Sequence, residues 1–337
     1  MSLCAAQSAR RTIDRAGETR DAITNRIEGC IAGHVVFETA MRNVSSWIAS
    51  MLLAGCTCAG QSDVFAEAAA SSIGRAGDDL VWVAAMTHGN DVIGARPVDQ
   101  SAPVRVVWQG GHVDAFASDG AHAAFAVAGS EGPSLIVLGP DGQTTSALPA
   151  RASAISIDGE QLAMRSWRAV WVRRAGAWEQ VAALPSGEVY GLASTPTRVV
   201  WLATDVDGCA ICSVPLSGGE TTCRDAGPGG PSSTIVARGE TLWVSRGLED
   251  EARIERFDPD HSHMRMPRPF GTSALAVDGD DAFWVESNAQ STWTNVMHAT
   301  SGRADRIATE DDGRAVLYAD RDGVWWTTSR GIRRLPR

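Results

Sequence analysis

One template recurs seven times along this chain: an apolar alternating run, an Asp-Gly or similar turn, then a second run centred on a large apolar side chain. The centres are Trp82, Phe125, Met164, Trp201, Trp243, Trp284 and Trp326, spaced 43, 39, 37, 42, 41 and 42 residues apart. The sharpest copies read SALAVDGDDAFWVES around Trp284, SAISIDGEQLAMRSW around Met164 and AVLYADRDGVWWTTS around Trp326. A recurrence of this length is the period of a four-stranded propeller blade. The alternation inside each run is that of a half-buried strand. Blades pack face to face, so core packing is the expected role of the tryptophans at the shared position.

After each centre comes a third run and often a glycine-containing hairpin, as in CAICSVPLSGGETT from Cys209 and NVMHATSGRADRIATE from Asn295; a fourth, more polar run follows. With the strands named A to D from inside to outside, Asp-Gly turns join A to B, and Ser-Gly-Gly and Thr-Ser-Gly turns join C to D. The seventh copy stops after GIRRLPR, which supplies a C strand but no D strand. Residues from Asp63 to Ala69 precede the first A strand and have no blade of their own. A ring closed by that N-terminal segment uses both leftovers and removes the sheet edges that invite aggregation. The expected fold is therefore all-β: a seven-bladed β-propeller of four-stranded antiparallel blades over residues 63–337, closed by an N-terminal strand. Six blades plus an extra hairpin is the alternative. The template resembles the NHL and YWTD-like propeller repeats of secreted bacterial proteins. That resemblance implies the fold and leaves function open, since propellers host binding proteins, lyases and hydrolases alike.

Upstream of the repeats, residues 41–56 read MRNVSSWIASMLLAGC. Arg42 supplies a short positive region, Val44 to Leu53 is mostly apolar, and Leu53-Ala54-Gly55-Cys56 follows. The apolar stretch is shorter than the roughly 20 residues of a spanning helix. The segment resembles the lipobox of bacterial lipoproteins, a small-residue cleavage site directly before a cysteine. The resemblance implies a signal peptide over residues 41–55, cleavage after Gly55 and lipid on the Cys56 sulfur. Thr57 rather than Asp follows, which by the same resemblance points to the outer membrane. A short tether, residues 56–62, would hold the propeller close to the bilayer. Residues 1–40 carry five Arg against five Asp plus Glu without firm periodicity. They are read as an extension ahead of a true start at Met41, or as disordered.

Composition removes several functions. All 30 basic residues are Arg, and 40 Asp and Glu leave a formal net charge of −10. A nucleic-acid binder needs the opposite balance, because basic groups displace the counterions of the phosphates. Without Lys there is no Schiff-base catalysis and no lysine-dependent phosphate loop. No GxGxxG before a helix, HExxH or GxSxG occurs.

In a propeller the B–C and D–A loops share one face, and the acidic residues of those loops form the first candidate site: Asp205 and Asp207, then Glu249, Asp250 and Glu251, then Glu310, Asp311 and Asp312. A ring of carboxylates there attracts calcium, another divalent metal or a basic partner. Trp293, in the insertion SNAQSTWTN, is a candidate for stacking on a ligand. His88 and His112 fall in neighbouring loops of that face with Asp91 and Asp114, a candidate metal set. Cys209 and Cys212 make a CxxC in strand context, and a cross-strand disulfide from Cys223 to Cys212 or Cys209 suits an oxidising compartment. Together these features predict a monomeric propeller, tethered to the envelope, binding a protein, glycan or small ligand and no nucleic acid. The alternative is a metal-dependent envelope enzyme on the same fold: a lactonase, lyase or hydrolase. Few His and no well-spaced cluster of His, carboxylate and Arg favour binding.

Overall fold

The alternating runs become strands. A computed structural model describes residues 63–67, 69–85, 90–167, 169–183, 188–205, 208–227, 234–246, 253–257, 263–267, 271–287, 293–300, 303–310 and 315–337, and among these the ordered elements are all strands. Blade 1 holds β2 (Ala70–Ala76), β3 (Asp79–Ala85), β4 (Asp91–Pro97) and β5 (Arg105–Gly110). Blade 2 holds β6 (Val113–Ser118), β7 (Ala123–Gly129), β8 (Gly132–Gly139) and β9 (Gly142–Ala147). Blade 3 holds β10 (Ala154–Asp158), β11 (Gln161–Ser166), β12 (Ala169–Arg174) and β13 (Ala177–Ala183). Blade 4 holds β14 (Glu188–Ser194), β15 (Arg198–Asp205), β16 (Gly208–Pro215) and β17 (Thr222–Gly227). Blade 5 holds β18 (Thr234–Arg238), β19 (Thr241–Arg246), β20 (Arg253–Phe257) and β21 (His263–Pro267). Blade 6 holds β22 (Gly271–Asp278), β23 (Asp281–Ser287), β24 (Thr294–Thr300) and β25 (Arg303–Glu310). Blade 7 is built from β26 (Leu317–Asp320), β27 (Gly323–Thr328) and β28 (Gly331–Pro336), with β1 (Asp63–Ala66) as its outermost strand. Every neighbouring pair is antiparallel, and the seventh sheet is complete, which excludes the six-bladed alternative.

The B strands explain why the template needs a large apolar centre. A blade has a neighbour on each face, so a middle strand is covered on both sides and reads as an apolar run. Trp82, Phe125, Met164, Trp201, Trp243, Trp284 and Trp326 are all at most 2% exposed. The core is divided into separate apolar clusters at the blade–blade interfaces. Between blades 1 and 2, Val81, Val83 and Ile93 meet Phe125, Val127 and Ile136. Between blades 4 and 5, Val200, Leu202 and Ile211 meet Ile235 and Val244. Outer strands such as β9 and β13 are mostly exposed, matching their polar sequences.

Closure joins the two ends of the propeller. In the β1–β28 pair Asp63 stands opposite Arg334, Val64 opposite Arg333 and Ala66 opposite Ile332, with a bulge between Val64 and Ala66. Phe65, 1% exposed, packs with Leu80 and Trp82 of blade 1 and with Trp325 and Ile332 of blade 7. Arg96 donates to the Phe65 carbonyl at 2.6 Å and lies over its ring, 5.4 Å from the centroid. Gly331 is required here: its φ is 144°, and a Cβ would fall 2.2 Å from the Ala66 carbonyl oxygen.

The A strands of successive blades contact one another around the ring, so their ends surround the axis. The turn after each decides what faces that axis. In blade 3, Asp158 pairs with Gln161 across a two-residue loop whose first residue, Gly159, has φ 60°, a conformation glycine adopts without strain.

Truncating the side chain that locks the joint, Phe65→Ala, should destabilise the protein by about 3–5 kcal/mol in denaturant titration. A loss below about 1 kcal/mol would mean that β1 does not hold the ring.

Candidate functional site

Repeat symmetry converts one template position into a ring of residues. The last residue of each A strand is Ala76, Ser118, Asp158, Ser194, Arg238, Asp278 and Asp320, each in register opposite the first residue of its B strand except Ser194, which faces Val199, the second. Arg75 adds a second cation beside Ala76. Residues at this A–B end of the axis surround a depression of about 440 Å³, bounded by Arg75, Gly120, Arg238, Asp278, Tyr318 and Asp320. That volume lies within the usual range for a small-molecule pocket.

The charges are tied together unevenly. Arg75, 8% exposed, donates to Asp320 at 2.8 Å, to Asp322, and through Nε to the Gly77 carbonyl at 2.7 Å. Burial works against its charge, but the hydrogen bonds it donates to Asp322 and Asp320 hold its pKa above the ordinary value. The Arg75 guanidinium in turn holds the Asp322 carboxyl below the usual carboxylate range. Arg238 reaches from blade 5 to blade 2, donating to the Asp119 carbonyl at 3.2 Å, and lies 3.9 Å from Asp278. Asp278 is also paired with Arg337. The Asp119 carboxylate is committed to its own turn and the next, accepting from the amides of Ala121 at 2.8 Å, His122 at 2.6 Å and Gly159 at 2.7 Å.

Two side chains at this end are less fully engaged. Asp158 accepts no hydrogen bond from any described residue; burial, then the charges of Asp119 and Glu240, push its pKa up, and Arg238 only partly offsets them. Tyr318 is 9% exposed, and its buried hydroxyl makes no close hydrogen bond, with the Asp320 carboxylate as its one longer-range acceptor among the described residues. Burial, then the Asp320 charge and the hydrogen bond to Asp320, push its pKa up, so the phenol stays neutral and keeps its lone pairs for a donor.

The residues named from sequence are distributed differently. Asp91 and His112 meet: the His112 Nδ1 lies 2.8 Å from the Asp91 carboxylate, which also accepts from the Val113 amide at 2.7 Å. Asp114 instead binds Arg151, at 2.9 and 2.5 Å. Glu310 accepts from the Trp326 indole at 2.9 Å and so ties blade 6 to blade 7. Trp293 is half-buried directly before β24, whereas Trp167, in the B–C loop of blade 3, is 76% exposed. Asp205 ends β15, its backbone paired with Gly208, and Cys209 pairs with Gly227. Cys212 stands opposite Cys223 and is disulfide-bonded to it. Asp207, Glu249, Asp250, Glu251, Asp311, Asp312, His88 and the Leu53–Cys56 motif lie outside the described residues. Among the described residues no three His, Cys, Asp or Glu gather as a metal site.

The axial ring was missed because Asp-Gly was read only as turn chemistry. The available signal was the recurrence of a charged residue immediately before the turn glycine, in Asp158, Arg238 and Asp278.

Solved structures with the same architecture are numerous and distant. Virginiamycin B lyase from Staphylococcus aureus, solved with quinupristin, matches at TM-score 0.59 and 13% identity, over 82% of this chain and 98% of that one. Hydrazine synthase of Kuenenia stuttgartiensis matches at TM-score 0.57 and 13% identity, again over 82% and 98%. The computationally designed Ika8 protein matches at TM-score 0.52 and 13% identity, over 80% of this chain and 97% of that one. At such identity the likeness shows the propeller fold and nothing further. No family model and no curated protein sequence matches the chain.

The raised pKa of Asp158 makes a signed prediction. The folded protein holds this proton to higher pH than the unfolded chain, so Asp158 costs stability as pH rises from about 3.9 through its folded value. Asp158→Asn should therefore melt higher than the parent at pH 7, and the difference should vanish near pH 3. A difference independent of pH would contradict this account of the carboxylate.

Proposed function

We propose that this chain is an exported, lipid-anchored propeller of the bacterial envelope that works as a binding module, with its ligand seat at the A–B end of the axis. The seat is favoured by a depression of about 440 Å³ at the axis, bounded by the buried Tyr318 and by charged strand ends from several blades. A concave site bounded by a few convergent polar groups is the ordinary form of a small-ligand pocket. The lipobox-like Leu53–Cys56 supports the address, and the Cys212–Cys223 disulfide is at home in an oxidising compartment.

Both halves are testable. With labelled palmitate in a bacterial host, the full chain should carry label in the membrane fraction, and Cys56→Ser should lose it; label independent of Cys56 would contradict the anchor. For the seat, amines, neutral sugars, inorganic phosphate and calcium should be screened by thermal shift against the protein and its Tyr318→Phe variant. At least one class should raise the melting temperature of the parent but not of the variant. A screen in which no shift depends on Tyr318 would contradict the seat.

A further inference from the structure

We propose that the wedge between blades 4 and 5 is a second binding site, separate from the axial seat, and that it takes an organic monoacid: one carboxylate on an apolar body, aliphatic or aromatic.

Strand alternation builds this site. Along β15 and β16, Trp201, Cys212 and Val214 pack into the apolar cluster shared with blade 3, so Val200, Ile211 and Ser213 between them point toward blade 5. In register, Val200 stands beside Ser213 and Ser213 beside Thr222, while Ile211 stands beside Arg224. Blade 5 faces them with Leu242 and Phe257, themselves a register pair. Between the two walls lies a cavity of about 420 Å³, with Arg198 and Glu240 also on its border. That volume is within the usual range for a small-molecule pocket.

The walls are held before any ligand arrives. Arg224 of β17 reaches across to blade 5 and lies over the Phe257 ring, 4.6 Å from its centroid. Thr197 donates to Glu240 at 3.0 Å and joins the A–B turns of the two blades. The Cys212–Cys223 disulfide staples β16 to β17, with Cys212 packed on the side of blade 3 and so behind the cavity wall. A preformed site spends less of its binding energy on ordering.

The lining selects the ligand. Val200, Ile211, Leu242 and Phe257 make an apolar floor, against which a bare inorganic ion buries nothing. The charged residues are Arg198, Arg224 and Glu240, two cations against one anion, which disfavours an amine. Arg224 is engaged with the Phe257 ring. Arg198 is exposed, and its guanidinium makes no hydrogen bond or ion pair among the described residues. A guanidinium presents parallel N–H donors that fit a carboxylate in bidentate fashion. Glu240 stands on the other wall; one of its oxygens is taken by Thr197, and the other is buried without a hydrogen bond and out of a ligand's reach. Its charge disfavours a second negative group on the ligand. A single carboxylate on an apolar body meets all of these constraints.

The test is isothermal titration of the full chain with octanoate, hydrocinnamate, octanol, octylamine, acetate and inorganic phosphate, each below its micelle-forming concentration. Octanoate or hydrocinnamate should bind, octanol about tenfold more weakly, and acetate, octylamine and phosphate not at all in the wedge. Arg198→Gln, a change at an exposed side chain, should weaken acid binding roughly tenfold and leave octanol unchanged. Thr222→Trp, which fills the wedge from an exposed position on β17, should remove both. Tyr318→Phe should change neither, which separates this site from the axial seat. Circular dichroism and melting curves keep an unfolded variant from being mistaken for a lost contact. Tighter binding of octanoate identifies an aliphatic acid, and tighter binding of hydrocinnamate an aromatic one; either supports the inference. Acid binding indifferent to Arg198→Gln and Thr222→Trp would overturn it, as would a preference for octylamine or no binding of either acid. Acid binding lost in Tyr318→Phe and kept in Thr222→Trp would also overturn it, and would move the acid to the axial seat.

Discussion

The joint between blade 7 and blade 1 is the interaction on which the rest of the molecule depends. A propeller left open exposes two blade faces, each with an apolar surface meant for a neighbour. Here the joint is fastened twice. At the rim, β1 completes the seventh sheet and inserts Phe65 between the terminal blades, under Arg96. At the axis, Arg75 of blade 1 grips Asp320 and Asp322 of blade 7. The second clasp is costly to desolvate, and it is tolerated because its lone pairs and protons are used: Gly77 accepts from Arg75, and Asp320 accepts from the Asp322 amide at 2.8 Å. Removing one partner of such a buried pair typically costs about 3–5 kcal/mol. The inner clasp also borders the axial depression, so closing the ring and shaping the mouth are one event.

Much of the scaffold was legible because it is periodic. Trp201, Trp243 and Trp284 recur at the blade spacing, and each proves wholly buried in a B strand. The closure could be inferred from two leftovers, a C strand without a D and a strand without a blade. The axial site was not legible in that way. Arg238 and the Asp119 carbonyl are 119 residues apart, and only the closed ring brings them together. The Asp158-Gly159 step gave the turn, while the position of Asp158 on the axis depends on three-dimensional symmetry. Glu310 shows the converse error. It looked like a loop-face acid, yet the path of the chain from blade 6 to blade 7 sets it on the indole of Trp326. Asp91 and His112 meet because adjacent loops needed no long-range information, whereas Asp114 is drawn to Arg151 from the next blade boundary.

Composition also shapes the mouth. With Arg as the only basic side chain apart from His, its cations stay charged at every pH the fold withstands. Among its carboxylates Asp158, whose pKa burial pushes up, protonates above the ordinary value for an aspartate. The distant structural relatives share the ring at 13% identity, and functions in such a fold reside in the sites grafted onto it.

The most direct measurement is amide hydrogen exchange on the full chain with and without whichever of the screened amines, neutral sugars, phosphate or calcium raises its melting temperature. The added compound should slow exchange in the A–B turns around residues 76–79, 158–161, 238–241 and 318–323, leaving the opposite face unchanged. Protection confined to the B–C and D–A loops, or no change anywhere, would contradict the assignment of the A–B end of the axis as the working face.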